Sequence, residues 1–330
     1  MKVGAVLLIA AAVPLAPLQH REATPQPSKD RPIFRSSVDL VSVAAVVRDR
    51  KGRFVRDLSR EDFTVLEGGQ TRPIVEFRKQ SDGPIKVALL FDVSGSMRLG
   101  SRAVEARQIA RHLMSALNAS DMAALFTFDS QLRQLQPFTS DMAAVDSAMA
   151  HIEQPFGQTS LYDAIAETSR AAIAETRQSG KLPQRSAVVV LTDGVDTRSR
   201  MTPDQVSAVA SGIDVPVYIV AVMSPMDDEA QTEREREQES PLRGLARWTG
   251  GELFTVSAPA HASIAARQIV SELRHQYVLA FEASSRPGWR PLEIRARDRD
   301  LKVRARSGYT AGAGGRSSDA SLQHSQRFGA

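Results

Sequence analysis

From residue 85 onward the chain alternates between short apolar runs and segments whose apolar residues recur every three or four positions. Ile85–Phe91, Ala123–Phe128, Ser186–Leu191 and Val215–Val222 are runs of the first kind. Being short, rich in β-branched residues and nearly free of charge, they predict strands buried on both faces. Gln131–Gln136 alternates less cleanly and predicts an edge strand. Arg102–Leu117, with Val104, Ile109, Leu113 and Leu117 among its apolar positions, predicts an amphipathic helix. Further helices are expected at Ser140–Ala150, capped by Ser140, at Ser160–Arg177 and at Ala260–Arg274. Thr202-Pro203-Asp204-Gln205 is a helix start, with a hydroxyl at the cap, proline at the first helical position and glutamine three after the cap. Strand and helix in alternation predict an α/β fold, a doubly wound and mostly parallel sheet with helices on both faces.

The flanks have a different period. Residues 36–78 show strand-like alternation at Val38–Leu40, Val41–Val43, Phe63–Glu67 and Ile74–Phe77, with turns at Asp49–Gly52 and Gly68-Gly69. "LSREDF" predicts a short helical turn capped by Ser59. Tyr277–Phe281, Leu292–Ala296 and Leu301–Ala305 resume the strand pattern. Neither flank carries enough apolar residues for its own core, so 36–78 and 276–310 are expected to join in one small β module beside the α/β domain. The expected organisation is a leader at 1–25, a β segment at 36–78, the α/β domain at 85–282, strands at 283–310 that rejoin the first β segment, and a Gly/Ser-rich disordered tail at 311–330.

Composition narrows the function classes. Hydrophobic residues are 42% of the 330 but aromatics only 5%, so Ala, Val, Leu and Ile must fill the core. A formal charge of +4 makes no case for nucleic acid. The arginines between Arg286 and Arg306 are interleaved with Asp298 and Asp300 and read as a solvated strand face. Asp227–Glu239 reads as a solvated acidic insertion. With no cysteine, disulfides, thiol catalysis and cysteine-based zinc sites are excluded. Lys2 followed by the apolar run Val3–Val13 and by Pro14 and Pro17 reads as an export signal, shorter than the roughly 20 residues of a membrane span. The expected location is therefore periplasmic or secreted, with the N-terminus either cleaved or retained as a membrane anchor. No other apolar run is long enough to span a membrane.

In an open parallel sheet, ligands bind beyond the carboxyl ends of the strands. Asp92, Ser94 and Ser96 follow the first buried strand, and Thr192, Asp193 and Gly194 follow Val188–Leu191. Thr159 stands at a helix start after "FGQ". These are hard oxygen donors on separate segments, all expected on one rim, and they suit Mg²⁺, Mn²⁺ or Ca²⁺. Each piece also has a plainer reading. Asp92 and Ser94 can cap the next helix, Thr159 can cap its own with Ser160 and Asp163, and Asp193-Gly194 can be a turn.

"DVSGSM", "QTSLYDAI" and "LTDGVDT" in that order resemble the von Willebrand factor type A domain with its metal-ion-dependent adhesion site. The matching positions are Asp92, Ser94, Ser96, Thr159 and Asp193, and the likeness spans about residues 85–282. "VVRDRKGRFVRDLSREDFTVLEGGQ", "LARWTGGELF" and "VRARSGYT" further resemble a bacterial family related to that domain, noted especially in Acidobacteria. There a glycine often precedes the threonine, where this chain has Gln158. The resemblance implies a cation, Mg²⁺ first, touched by the serines and the threonine, with the aspartates acting partly through water. It implies an open position for a carboxylate from a protein partner, and so a non-enzymatic adhesion or protein-binding role.

An envelope scaffold with a structural cation is the alternative, and a metal-dependent hydrolase the weaker one. The chain has no Gly-x-Ser-x-Gly, no His-Glu-x-x-His and no phosphate loop. His112, His151, His261 and His275 sit at no ligand spacing.

Overall fold

The structure, a computed structural model, describes residues 40–80, 83–178, 185–212, 214–223, 241–284 and 286–311. The leader, the acidic insertion and the tail from 312 lie outside the described residues.

The α/β half is built on a six-stranded sheet in the order β10-β9-β8-β5-β6-β7. Its strands are β5 (Ile85–Asp92), β6 (Met122–Phe128), β7 (Leu132–Thr139), β8 (Arg185–Thr192), β9 (Val217–Val222) and β10 (Leu253–Val256). All pairs are parallel except β6 with β7, which is antiparallel at the edge. β5, β8 and β9 are buried at every position, as their unbroken apolar runs require. One face packs against α1 (Arg102–Ser115), α2 (Met142–Ala150) and α6 (Pro259–Arg274), through Ile109, Leu113, Val145, Met149, Ile269 and Leu273. The other packs against α3 (Leu161–Gln178), α4 (Pro203–Gly212) and α5 (241–248), through Leu161, Ile165, Val206, Ala210, Leu242 and Leu245.

Several local expectations need correction. Asp141, not Ser140, caps α2, its carboxylate accepting from the N–H groups of Ala143 and Ala144. Val104 lies 55% exposed, because the buried stripe of α1 runs through Ala106, Ile109, Ala110 and Leu113. The strand β10 and the helix α5 were not anticipated. The cap of α4 forms as read, with Thr202 N–H donating to Gln205 and Gln205 N–H to the Thr202 hydroxyl.

Two four-stranded antiparallel sheets flank this half. One has the order β13-β1-β11-β4 and the other β14-β12-β2-β3. The first joins β1 (Leu40–Arg48), β4 (Ile74–Gln80), β11 (Gln276–Glu282) and β13 (Lys302–Ala305). The second joins β2 (Phe63–Glu67), β3 (Gln70–Arg72), β12 (Gly288–Ala296) and β14 (Gly308–Ala311). Their shared core contains Val43, Val47, Phe63, Val65, Tyr277, Leu279, Phe281, Leu292 and Ile294. Each sheet thus draws strands from both flanks. β4 pairs directly with β11, and Gln80 sits opposite Gln276, so the α/β half is inserted between two paired strands.

The antiparallel sheets meet the α/β half at the amino-terminal edge of its strands. Glu272 of α6, with no solvent exposure, accepts from Arg48 at 2.6 Å and also from Arg304. Arg306, only 6% exposed, donates to the Ser42 carbonyl. Arg304 and Arg306 therefore point inward, which corrects the reading of a uniformly solvated arginine face. His275 stacks on Phe54 with ring centroids 5.1 Å apart, a packing role.

Candidate metal centre

β5 and β8 are neighbours, with Phe91 opposite Leu191, yet the chain leaves them in opposite directions across the sheet. That divergence opens a crevice at their carboxyl ends, the place where such sheets bind ligands. Asp92 closes β5 and Asp193 follows β8, and both are 2% exposed. Asp92 Oδ2 accepts from the Thr192 hydroxyl at 2.5 Å and Oδ1 from the Ser94 N–H at 2.8 Å. Thr192 Oγ1 in turn accepts from the Gly194 N–H at 3.0 Å. Burial, and then the charge of nearby Asp193, push the Asp92 carboxyl up to about 7.

The third segment is drawn in by backbone contacts. Phe156 N–H donates to the Val93 carbonyl at 2.8 Å, and Gly95 N–H to the Gly157 carbonyl at 3.0 Å. Gly157 has φ +93°, a conformation natural to glycine. The turn that the resemblance places just before the threonine is thus made one residue earlier, and Gln158 is tolerated. A Cβ on Gly95 would lie 3.3 Å from the Gly157 oxygen, a tight contact that would push the Gly157 peptide back by a few tenths of an ångström.

Thr159 is held from both sides of its peptide. Its N–H donates to the Thr197 hydroxyl at 2.9 Å, and its carbonyl accepts from the N–H groups of Thr197 and Arg198. The start of α3 is capped by the same loop: Asp196 accepts from Leu161 N–H, and the Ser199 hydroxyl from Tyr162 and Asp163 N–H. Asp163 reciprocates by accepting from the N–H groups of Arg200 and Met201. Thr159 therefore does not cap α3, and its hydroxyl makes no hydrogen bond among the described residues. Nor do Asp92 and Ser94 cap α1, which begins ten residues after Asp92 behind Ser101. The Ser94 and Ser96 hydroxyls lie 3.2 Å apart and bond to each other.

The structure thus brings Asp92, Ser94, Ser96, Thr159 and Asp193 to one rim. Sequence reasoning missed the residues that position them. Asp196, Thr197 and Ser199 hold the threonine loop, and their only signal was the polar run "DGVDTRS". Arg102, fully buried, donates to Asp193 Oδ2 at 2.7 Å, while Oδ1 accepts from Val195 N–H at 3.2 Å.

The donor set fits a hard divalent cation. The Ser96 and Thr159 hydroxyls have no carboxylate, carbonyl or amide partner among the described residues, the Ser94 hydroxyl contacts Ser96 and the Asp92 carboxylate, and both carboxylates are turned onto internal donors. Two buried carboxylates share one guanidinium here, and the crowding that raises the Asp92 pKa is the kind a bound cation would relieve. Among the described residues no three His, Cys, Asp or Glu side chains group so as to hold a metal ion.

Residues 87–195 match the family model described as the von Willebrand factor type A domain. No curated protein gives a match. Among solved structures, the chain is similar to the conserved hypothetical protein BatB from Bacteroides thetaiotaomicron, at 18% identity and TM-score 0.44 over 57% of this chain and 98% of that one. It is similar to a von Willebrand factor type A protein from Catenulispora acidiphila, at 13% identity and TM-score 0.47 over 84% and 76%. It is also similar to the pilus adhesin SpaC from Lactobacillus rhamnosus GG in its open conformation, at 9% identity and TM-score 0.46 over 75% and 47%.

Proposed function

We propose, from the von Willebrand factor type A domain that this chain carries, that the carboxyl rim of its parallel sheet is a cation-dependent protein-binding site that works outside the cytoplasm. The observation that carries the reading is the convergence of three hydroxyls, from Ser94, Ser96 and Thr159, with two buried, internally bonded carboxylates. Ser94, Ser96 and Thr159 would hold Mg²⁺, or Mn²⁺ or Ca²⁺ in its place, with Asp92 and Asp193 balancing its charge through water. Bound there, the ion would offer a Lewis-acid position to a carboxylate of a protein partner. The chain's own residues prepare that position. Neutral hydroxyls leave the charge of a bound cation largely uncancelled. Thr192 and the Ser94 N–H aim Asp92, and Arg102 fixes Asp193.

Arg102 favours this role over that of a purely structural ion, because the fold already holds a cation against Asp193. The apolar start after Lys2 supports export, and no helix among the described residues is long and apolar enough to cross a membrane. Calorimetric titration with Mg²⁺, Mn²⁺ and Ca²⁺, paired with capture from envelope extract in Mg²⁺ or EDTA, tests the proposal. Saturable cation binding and a capture that EDTA abolishes are expected; capture indifferent to EDTA sinks the cation-dependent reading.

A further inference from the structure

Phe156 is 77% exposed, the highest value among the large hydrophobic residues of the described chain, and it stands three positions before Thr159. Leu99, 47% exposed, stands three positions after Ser96 on the other loop. Neither is a loose tip. Phe156 is tied through its N–H to Val93, and Leu99 through its N–H to the Ser96 carbonyl at 3.1 Å. An exposed aromatic ring on a tethered backbone beside a ligand site is the arrangement of an anchor for a partner.

The exposed charge around the same loops is mainly positive. Arg98, Arg198 and Arg200 are exposed and enter no ion pair among the described residues; Arg198 donates to the neutral Gln158. The acids between them face inward, Asp163 and Asp196 being spent on backbone N–H groups. Glu153 is exposed before the Phe156 loop, and Glu167 lines the same surface cavity as Arg198 and Arg200, so two exposed acids stand against the three exposed arginines.

We infer that this rim selects an extended acidic protein segment carrying a bulky apolar side chain beside the carboxylate it offers. The inference rests on the carboxylate-binding reading of the rim. Phe156 and Leu99 receive the apolar side chain, and the arginines receive further acids on either side. Charge complementarity of this kind sets partner choice and association rate, while the apolar anchor supplies affinity.

The test uses three fluorescent synthetic peptides and the full chain in Mg²⁺. The first has one aspartate next to a phenylalanine among glutamates. The second replaces that phenylalanine by serine, and the third replaces the glutamates by lysines. Fluorescence anisotropy should show the first bound about tenfold more tightly than the second, the scale of burying one aromatic side chain. The third should bind weakest. Phe156→Ser should erase the gap between the first two. The Arg98→Gln/Arg198→Gln variant should weaken the first and flatten its salt dependence. Both variants should keep wild-type Mg²⁺ affinity and melting temperature. The inference is overturned if phenylalanine confers no advantage, if its advantage survives Phe156→Ser, or if Mg²⁺ binds and no peptide does. Failure of the wild type to bind Mg²⁺ would instead sink the metal reading. Peptide binding that persists in EDTA and still needs Phe156 would keep the surface and discard the ion.

Discussion

The guanidinium of Arg102 and the carboxylate of Asp193 meet at 2.7 Å with neither side chain exposed to solvent. The two residues are 91 positions apart, one at the start of α1 and the other just past β8. Arg102→Leu strands a buried charge and should lower stability by about 3–5 kcal/mol in EDTA. Adding Asp193→Asn should restore much of the loss. Mg²⁺ should stabilise the single variant more than the wild type, since ion and guanidinium answer the same carboxylate. Urea unfolding in EDTA and in Mg²⁺ measures this; equal increments in both proteins would mean that the two cations do not compete.

Asp92→Ala should abolish the thermal response to Mg²⁺ and leave a folded protein, because the proposed ion site lies at a rim and not in the core. At a tenfold excess over its dissociation constant, Mg²⁺ should stabilise the wild type by about 1.4 kcal/mol. That is a rise of roughly 3–5 °C for a domain of this size. Ser94→Ala and Thr159→Ala should reduce the response, and Arg290→Ala should not change it. A full response in Asp92→Ala would reduce Asp92 to a local turn residue.

Glu67 governs an acid transition in the antiparallel half. Burial alone would raise its pKa, but the Tyr309 hydroxyl, the Ser284 N–H and Arg72 outweigh that and hold it below the ordinary 4.5. A depressed folded value means stability that is present above about pH 4.5 and is lost as pH falls through the folded pKa. Glu67→Gln should be less stable at neutral pH and flatter between pH 5 and 3, as read from urea midpoints. Parallel acid limbs in the two proteins would contradict this.

Glu272→Leu should loosen the junction between the two halves. It leaves Arg48 and Arg304 without their shared carboxylate, at a cost of about 3–5 kcal/mol. Hydrogen exchange should accelerate in β1 and β13 well before β5. Uniform acceleration would show that the halves do not open separately.

Much of this was legible in the chain because the governing physics is local. An unbroken apolar run such as Val188–Leu191 has few solutions other than a buried strand, and the carboxyl ends of such strands are where open parallel sheets place their ligand sites. The capping of α4 by Thr202 and Gln205 is a matter of four consecutive residues. What stayed hidden depends on contacts between distant positions. Arg102 looks like any polar residue opening a helix, and only the fold brings Asp193 to it. Asp196 and Ser199 cap a helix that begins some 35 residues before them. β3, β10 and β14 are three or four residues long and carry too little pattern to stand out. Arg304 and Arg306 share the charge pattern of their exposed neighbours, and their burial follows from Glu272 and Ser42 across the junction.

The pairing of Gln80 with Gln276 has a mechanical consequence. A pulling force applied at Leu40 and Ala311 enters and leaves through the antiparallel sheets. It bypasses the parallel domain for as long as β4 and β11 stay zipped. The rim proposed to meet a partner sits at the opposite edge of its sheet, on a body hung outside the line of tension. Under a single-molecule tether between those two positions, the inserted domain should unravel only after the zipper parts. A bound partner would then load the chain from the side, so the wall between β4 and β11 is where an adhesive grip would be felt first.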